Sequence, residues 1–361
     1  MKGILQQPQP NIDRFIQVIR GEVIPERPPL IEYLVDHKVM RAVVTEGLGR
    51  KWVEPDWNDR ETLRPFLDNY ISMWYSLGYD FVRIEFDAGF EMTALYAPDP
   101  GTAGETTRAW ADLQHGPIHD WQSFESYSWP DKPSNRNLWI LEYIEQHLPD
   151  GMGMITCHGG GIFEIIGRLL SYSGLCLALY DQPDLVAAVA ERAGRCIENY
   201  YTAFLEIPSV RMVLQGDDMG HRTGLLISAK DMKQYCLPWH KRFAALTHEK
   251  GLPYCLHSCG QVMEIMPALI EEVGIDGKHS FEDVIIPASE FYDRYGDRIA
   301  VLGGVDINVL SACTPDEVRC ATRTLIEHCA ESGRFAIGSG NSIPSYIPVE
   351  NYLAMLDEAH K

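Results

Sequence analysis

The sequence predicts an α/β chain folded as one (β/α)8 barrel, a single domain over residues 1–361. Two observations carry this. Eight short, β-branched apolar runs lie at 29–35, 80–86, 152–157, 211–215, 253–257, 275–279, 299–302 and 334–337. Between them stand glycine or polar clusters followed by stretches of helical periodicity, the alternation that makes neighbouring strands parallel and their crossovers right-handed. A doubly wound open sheet is the alternative, but no GxGxxG opens a helix after the first run.

Taken in order, run 80–86 precedes the longest connection, 88–137. Long insertions after a barrel strand often serve as lids, and Trp110, Trp121 and Trp129 offer apolar surface either to cover a substrate or to anchor the loop to the rim. Run 211–215 leads to Ser228-Ala229-Lys230-Asp231, which opens a helix. After 253–257, Val262, Ile265, Met266, Leu269, Ile270 and Val273 make an apolar stripe at helical spacing. After 299–302, Thr314 supplies an N-cap, Pro315 the first helical position and Glu317 the third, with Gly333 as the stop.

Composition excludes several functions. The chain has 31 basic and 51 acidic residues, a net charge of −20, without a basic cluster suited to nucleic acid. It has no apolar run of membrane-spanning length and no secretory leader, so a cytoplasmic location without a membrane partner is expected. Nine cysteines, an odd number, read as reduced thiols rather than a disulfide framework.

In a parallel barrel, chemistry sits at the C-terminal ends of the strands. Those ends are polar here: Glu85 and Asp87; Cys157 and His158; Asp217 and Asp218; His257 and Cys259; His279, Glu282 and Asp283; Asp306; Ser339 and Asn341. In extended backbone, residues two apart project to one side, so His257 and Cys259 of the HSCG stretch can aim an imidazole and a thiolate at one point, which is ligand geometry for zinc. Other readings stay open: Asp217-Asp218 either caps a loop or touches substrate, His158 either serves a tight turn at Gly159-Gly160-Gly161 or faces the site, and His279 is either a core histidine or a ligand.

HSCG, YGDRIAVLGGVD (295–306) with TPDEV (314–318), and GSGNSIPSYIPVENYLAM (338–355) resemble the uroporphyrinogen decarboxylase superfamily, which includes zinc-dependent methyltransferases of corrinoid metabolism. The resemblance implies a barrel with its site at the C-terminal mouth. It implies either methyl transfer between a small substrate and a corrinoid protein, with zinc on His-x-Cys and a distant Cys, or metal-free decarboxylation of a porphyrinogen. For the first, zinc on His257 and Cys259 would polarise the heteroatom while Asp218, Glu282 or Asp217 manages the proton. Glu85, Asp87, His158, Ser339 and Asn341 would then line the substrate pocket. In the second, Asp87 would stabilise a protonated pyrrole-like intermediate.

The chain departs from both patterns. The early arginine motif of the decarboxylases is absent, with only Arg83 in FVRIEFDAGFEM, and Ser339 replaces the distant cysteine in Gly338-Ser339-Gly340. A third zinc ligand must then be His279, Glu282, Asp218 or Glu85. A carboxylate there hardens the metal and favours an ether or amine over a thiol. A corrinoid protein and a homodimer are the partners left open.

Overall fold

The structure is a computed structural model that describes residues 2–92, 94–98, 107–112, 115–331 and 333–361. Seven parallel strands follow one another around a curled sheet: β1 (Phe81–Phe86), β2 (Gly153–His158), β3 (Val210–Gly216), β4 (Tyr254–His257), β5 (Gly277–His279), β6 (Ala300–Leu302) and β7 (Phe335–Ala336). Each pairs in parallel with the next, the order an α/β barrel requires.

The expected first strand, 29–35, occupies the eighth position without becoming a regular strand. It is held to the far edge by the bridge between Leu30 and Ile337 and a second between Val35 and Ile343. Pro28 and Pro29 have no amide hydrogen, so Pro29 can only accept, from the Ile337 N–H, and the ladder shrinks to a few bonds. On its other side the segment meets β1 through side chains, the Tyr33 hydroxyl donating to Glu85 Oε2 at 3.0 Å.

The helices form where their caps stand. The Thr314 hydroxyl accepts from the Glu317 amide and the Glu317 carboxylate accepts from the Thr314 amide across the first turn of Pro315–Cys329. Ser228 caps Ala229–Asp231, which runs on through the wider turn Met232–Cys236 into Leu237–Glu249. The stripe after HSCG is helical only over Met266–Ala268 and the wider turn Leu269–Val273. Pro267 stands at its start, which removes the donor an earlier turn would need.

The 88–137 insertion contains an antiparallel ribbon, Ala94–Pro98 with Thr107–Ala111, and the short helix Trp121–Ser126. Trp129 packs edge-on against Phe90, Phe124 and Tyr127 and lies under the Arg192 guanidinium of the helix Pro183–Phe204. That makes Trp129 a rim anchor. Trp121 is about half exposed, and the side chain of Trp110 lies outside the described residues. Among the described residues no single helix is long and apolar enough to cross a membrane.

Candidate functional site

The site is built at the end of β4, and the glycine of HSCG explains how. Gly260 has φ +76°, and a Cβ on it would lie 2.3–2.5 Å from the backbone of Gly220 and His221. Only glycine lets the loop after β3 come so close. That approach lays Asp218 against the turn: its Oδ1 accepts the Cys259 N–H at 2.9 Å and stands 3.7 Å from His257 Nε2. Cys259 Sγ is 3.6 Å from the same nitrogen. One donor atom from each of Asp218, His257 and Cys259 lies within 4.8 Å of the others.

The ring of His257 is fixed by its neighbours. His257 and His279 face each other across paired positions of β4 and β5, their Nδ1 atoms 2.6 Å apart. His279 Nε2 lies 3.2 Å from the carbonyl oxygen of Ser339, which can only accept. A neutral His279 therefore carries its proton on Nε2 and accepts at Nδ1, so His257 must donate from Nδ1. The lone pair of His257 Nε2 is left facing Cys259 and Asp218. Burial keeps both rings neutral, pushing His279 down to about 3 and His257 well below the usual range, with each also affected by nearby cationic charge.

Around this core the packing is tight. The Tyr33 ring stacks on His257 at 3.9 Å and 14°, and the Arg83 guanidinium lies 4.7 Å from the Tyr33 ring centroid. Asn341 Nδ2 donates to Cys259 Sγ at 3.1 Å. Burial first, then the Asp218 charge, pushes the Cys259 thiol up to about 12, against the opposing bonds from Asn341 and Ser280. Burial also raises Asp218. A half-buried thiol and carboxyl whose ionised forms are disfavoured, beside an imidazole lone pair, are a donor set that a divalent cation would complete, and N, S and O donors with an open fourth position fit zinc.

The remaining expected residues fall elsewhere. His279, expected as a ligand, spends both ring nitrogens on His257 and Ser339. Asp217 turns away from the mouth: its carboxylate accepts from the Phe163 and Glu164 amides, both at 3.0 Å, and pairs with His240 Nε2 at 2.8 Å. It caps the helix Ile162–Leu169, and Gly161 is bare because a Cβ there would lie 2.1 Å from the Asp217 side chain. His158 is fully buried, accepting from the Ala88 amide at Nε2 and donating from Nδ1 to the Gly160 carbonyl, so it ties two loops together. Asp87 accepts from the Gly89 and Phe90 amides. Glu85 meets Arg83 at 2.6 Å as well as Tyr33, whose ring stacks on His257. Ser339 is fully buried and gives its hydroxyl to Glu32 at 2.7 Å rather than to the mouth. Glu282 is half-buried after β5, where its backbone closes a bridge with Ile286.

Sequence reasoning missed Glu32, Tyr33 and Lys278. Glu32 is pushed up to about 8 by burial. Its signal was an acid inside the apolar run PPLIEYLV. Lys278 is buried against the Phe281 ring and bonds the Ser280 carbonyl at 2.5 Å, its amine pushed down to about 8 by burial.

The curled sheet of parallel strands, with a metal-type cluster at their carboxyl ends, is the arrangement of an α/β barrel. The family model for uroporphyrinogen decarboxylase (URO-D) matches residues 106–361, and the chain belongs to that family. Among solved structures, a methyltransferase from Methanosarcina mazei superposes with a TM-score of 0.70 at 17% identity, covering 98% of this chain and 99% of that one. A putative vitamin-B12 independent methionine synthase from Listeria monocytogenes superposes with a TM-score of 0.54 at 10% identity, covering 94% and 96%. Both likenesses establish the fold. No curated protein matches the chain in sequence.

Proposed function

We propose that this chain is a zinc-dependent methyltransferase that passes a methyl group between a small substrate and a corrinoid carried by a partner protein. The observation that carries the reading is the convergence of His257 Nε2, Cys259 Sγ and the Asp218 carboxylate on one point. The partner rests on the family resemblance and on the methyltransferase fold of the M. mazei neighbour.

Asp218, His257 and Cys259 would hold the metal. Bound there, zinc would supply a Lewis acid that activates the methyl-bearing or methyl-accepting heteroatom. The chain's own residues do the rest. His279 and Tyr33 hold the His257 ring in one tautomer and one plane, and Asn341 holds the Cys259 sulfur. With two of three ligand positions taken by nitrogen and carboxylate oxygen, the site suits an oxygen or nitrogen centre better than a thiolate. Glu282 is left as the rim carboxylate for proton transfer, since Asp218 is a ligand and Asp217 a helix cap.

Porphyrinogen decarboxylation is the weaker reading because, among the described residues, cations do not converge on the mouth. Arg83 is wholly buried on Glu85, Arg168 is paired with Glu164, and Arg222 is exposed on the loop after β3.

The test is methyl transfer followed by the absorbance of cob(I)alamin and methylcobalamin, with candidate methyl ethers and methylamines. Zinc-dependent exchange lost in His257→Ala supports the proposal. Decarboxylation of uroporphyrinogen by the chelator-treated protein contradicts it.

A further inference from the structure

A cavity of about 370 Å³ opens at the mouth where the 29–35 segment, β1 and the turn after β7 end, a volume suited to a small molecule. Its walls are aromatic. Trp57 stands edge-on to Phe66 at 71° and to Phe86 at 76°, with ring centroids 5.9 and 6.3 Å apart, and Phe66 stacks on Tyr70 at 30°. The Tyr70 hydroxyl is spent on the Arg83 carbonyl, so this residue presents its ring rather than a polar atom. Met40, Ile84 and Ile343 complete the apolar lining.

The acids of the lining are Asp36 and Glu85, and among the described residues no lysine or arginine joins them. The two acids are unequal. Glu85 Oε2 takes the Arg83 guanidinium at 2.6 Å and the Tyr33 hydroxyl, so its charge is already balanced by a partner outside the cavity. Asp36 has no cationic partner among the described residues. Its Oδ1 accepts the Lys38 amide at 2.9 Å and caps the helix His37–Ala42. The imidazole of His37 lies 5.5 Å from Phe66 and adds a further ring.

Rings set at steep angles to one another, with one uncompensated carboxylate in a chain of net charge −20, draw an organic cation and give an anion nothing to pair with. The kind of cation follows from the hydrogen-bond inventory. A primary ammonium brings three donors that need acceptors, which an aromatic lining does not supply, whereas a quaternary ammonium brings none.

We propose that this cavity binds a small quaternary ammonium ion, its alkyl groups against Trp57, Phe66 and Phe86 and its charge balanced by Asp36. The cavity adjoins the ligand cluster at two points. Ser342 lines it and follows Asn341, which bonds Cys259 Sγ; Glu85 lines it and holds Tyr33, whose ring stacks on His257. The assignment stands on the lining and does not depend on the methyl-transfer reading.

The probe is choline, with its uncharged carbon analogue, in which a tert-butyl group replaces the trimethylammonium, measured by titration calorimetry on the full chain without added metal. Choline binds the wild type more tightly than the analogue by on the order of tenfold, the worth of a desolvated cation–π contact. Trp57→Leu, at a side chain 36% exposed, lowers choline affinity by about tenfold while the melting temperature holds. Asp36→Asn, which keeps a capping oxygen for the Lys38 amide, narrows the preference for choline over the analogue. Choline that fails to bind the wild type, that is matched by the analogue, or that binds Trp57→Leu unchanged overturns the proposal, as does a preference untouched by Asp36→Asn.

Discussion

His257 and His279 hold one proton between their Nδ1 atoms, 2.6 Å apart, and the Ser339 carbonyl at the other end of His279 decides which ring donates it. Partners of this kind typically set metal affinity by 10–100-fold. His279→Phe should therefore weaken zinc by about 10–100-fold in competition with a chelating dye, while His279→Gln, whose amide oxygen still accepts from His257, should recover part of the loss. Equal losses in the two variants would show that the ring only fills space.

Zinc uptake should release protons. The Cys259 thiol, pushed up to about 12 without metal, is protonated at neutral pH and must lose its proton to ligate. His257 is held well below its usual range and is already neutral. Apparent zinc affinity should rise about tenfold per pH unit between pH 6 and 8, and more steeply to the extent that Asp218 also starts protonated. Cys259→Ser should flatten that slope. Titration calorimetry in buffers of different ionisation enthalpy counts the protons directly.

Ser339→Cys should not strengthen zinc binding. A cysteine in this turn was the family expectation, but the side chain at 339 faces Glu32 rather than the cluster. A zinc affinity raised tenfold or more by Ser339→Cys would place the turn differently from the structure.

These cases show what the sequence could carry. The runs at 253–257 and 275–279 announce buried parallel strands because both faces are covered, and the two-residue spacing of His257 and Cys259 follows from strand geometry. The roles of Asp217 and Asp218 were not separable. Neighbours in extended backbone point to opposite sides, so one acid had to face a helix and the other the mouth. Which did which depends on the close passage of Gly161 by Asp217 and of Gly260 by Gly220, contacts between segments far apart in the chain. Tyr33 and Glu32 were hidden for a related reason: their partners, His257 at the end of β4 and Ser339 after β7, lie far along the chain from them.

Glu32 should make stability fall with rising pH. Burial raises it from 4.5 to about 8, so the folded state keeps a proton that the unfolded chain loses. Its contribution is complete below about pH 4.5 and is lost as pH rises towards 8, on the order of 5 kcal/mol at about 1.4 kcal/mol per unit. Glu32→Gln, which keeps an acceptor for the Ser339 hydroxyl and the Tyr33 amide, should melt near the wild type at pH 5 and clearly above it at pH 8. Denaturant melts at the two pH values read this, and a variant less stable at pH 8 would refute it.

The most direct test of the central claim is the absorption spectrum of the cobalt-substituted protein. A Co²⁺ ion held by Asp218, His257 and Cys259 should bind one per chain, with a thiolate-to-metal charge-transfer band in the near ultraviolet and the visible intensity of a four-coordinate site. The band should vanish in Cys259→Ser, and binding should weaken at least tenfold in Asp218→Asn. Binding without a thiolate band, or a spectrum unchanged by Cys259→Ser, would contradict the site.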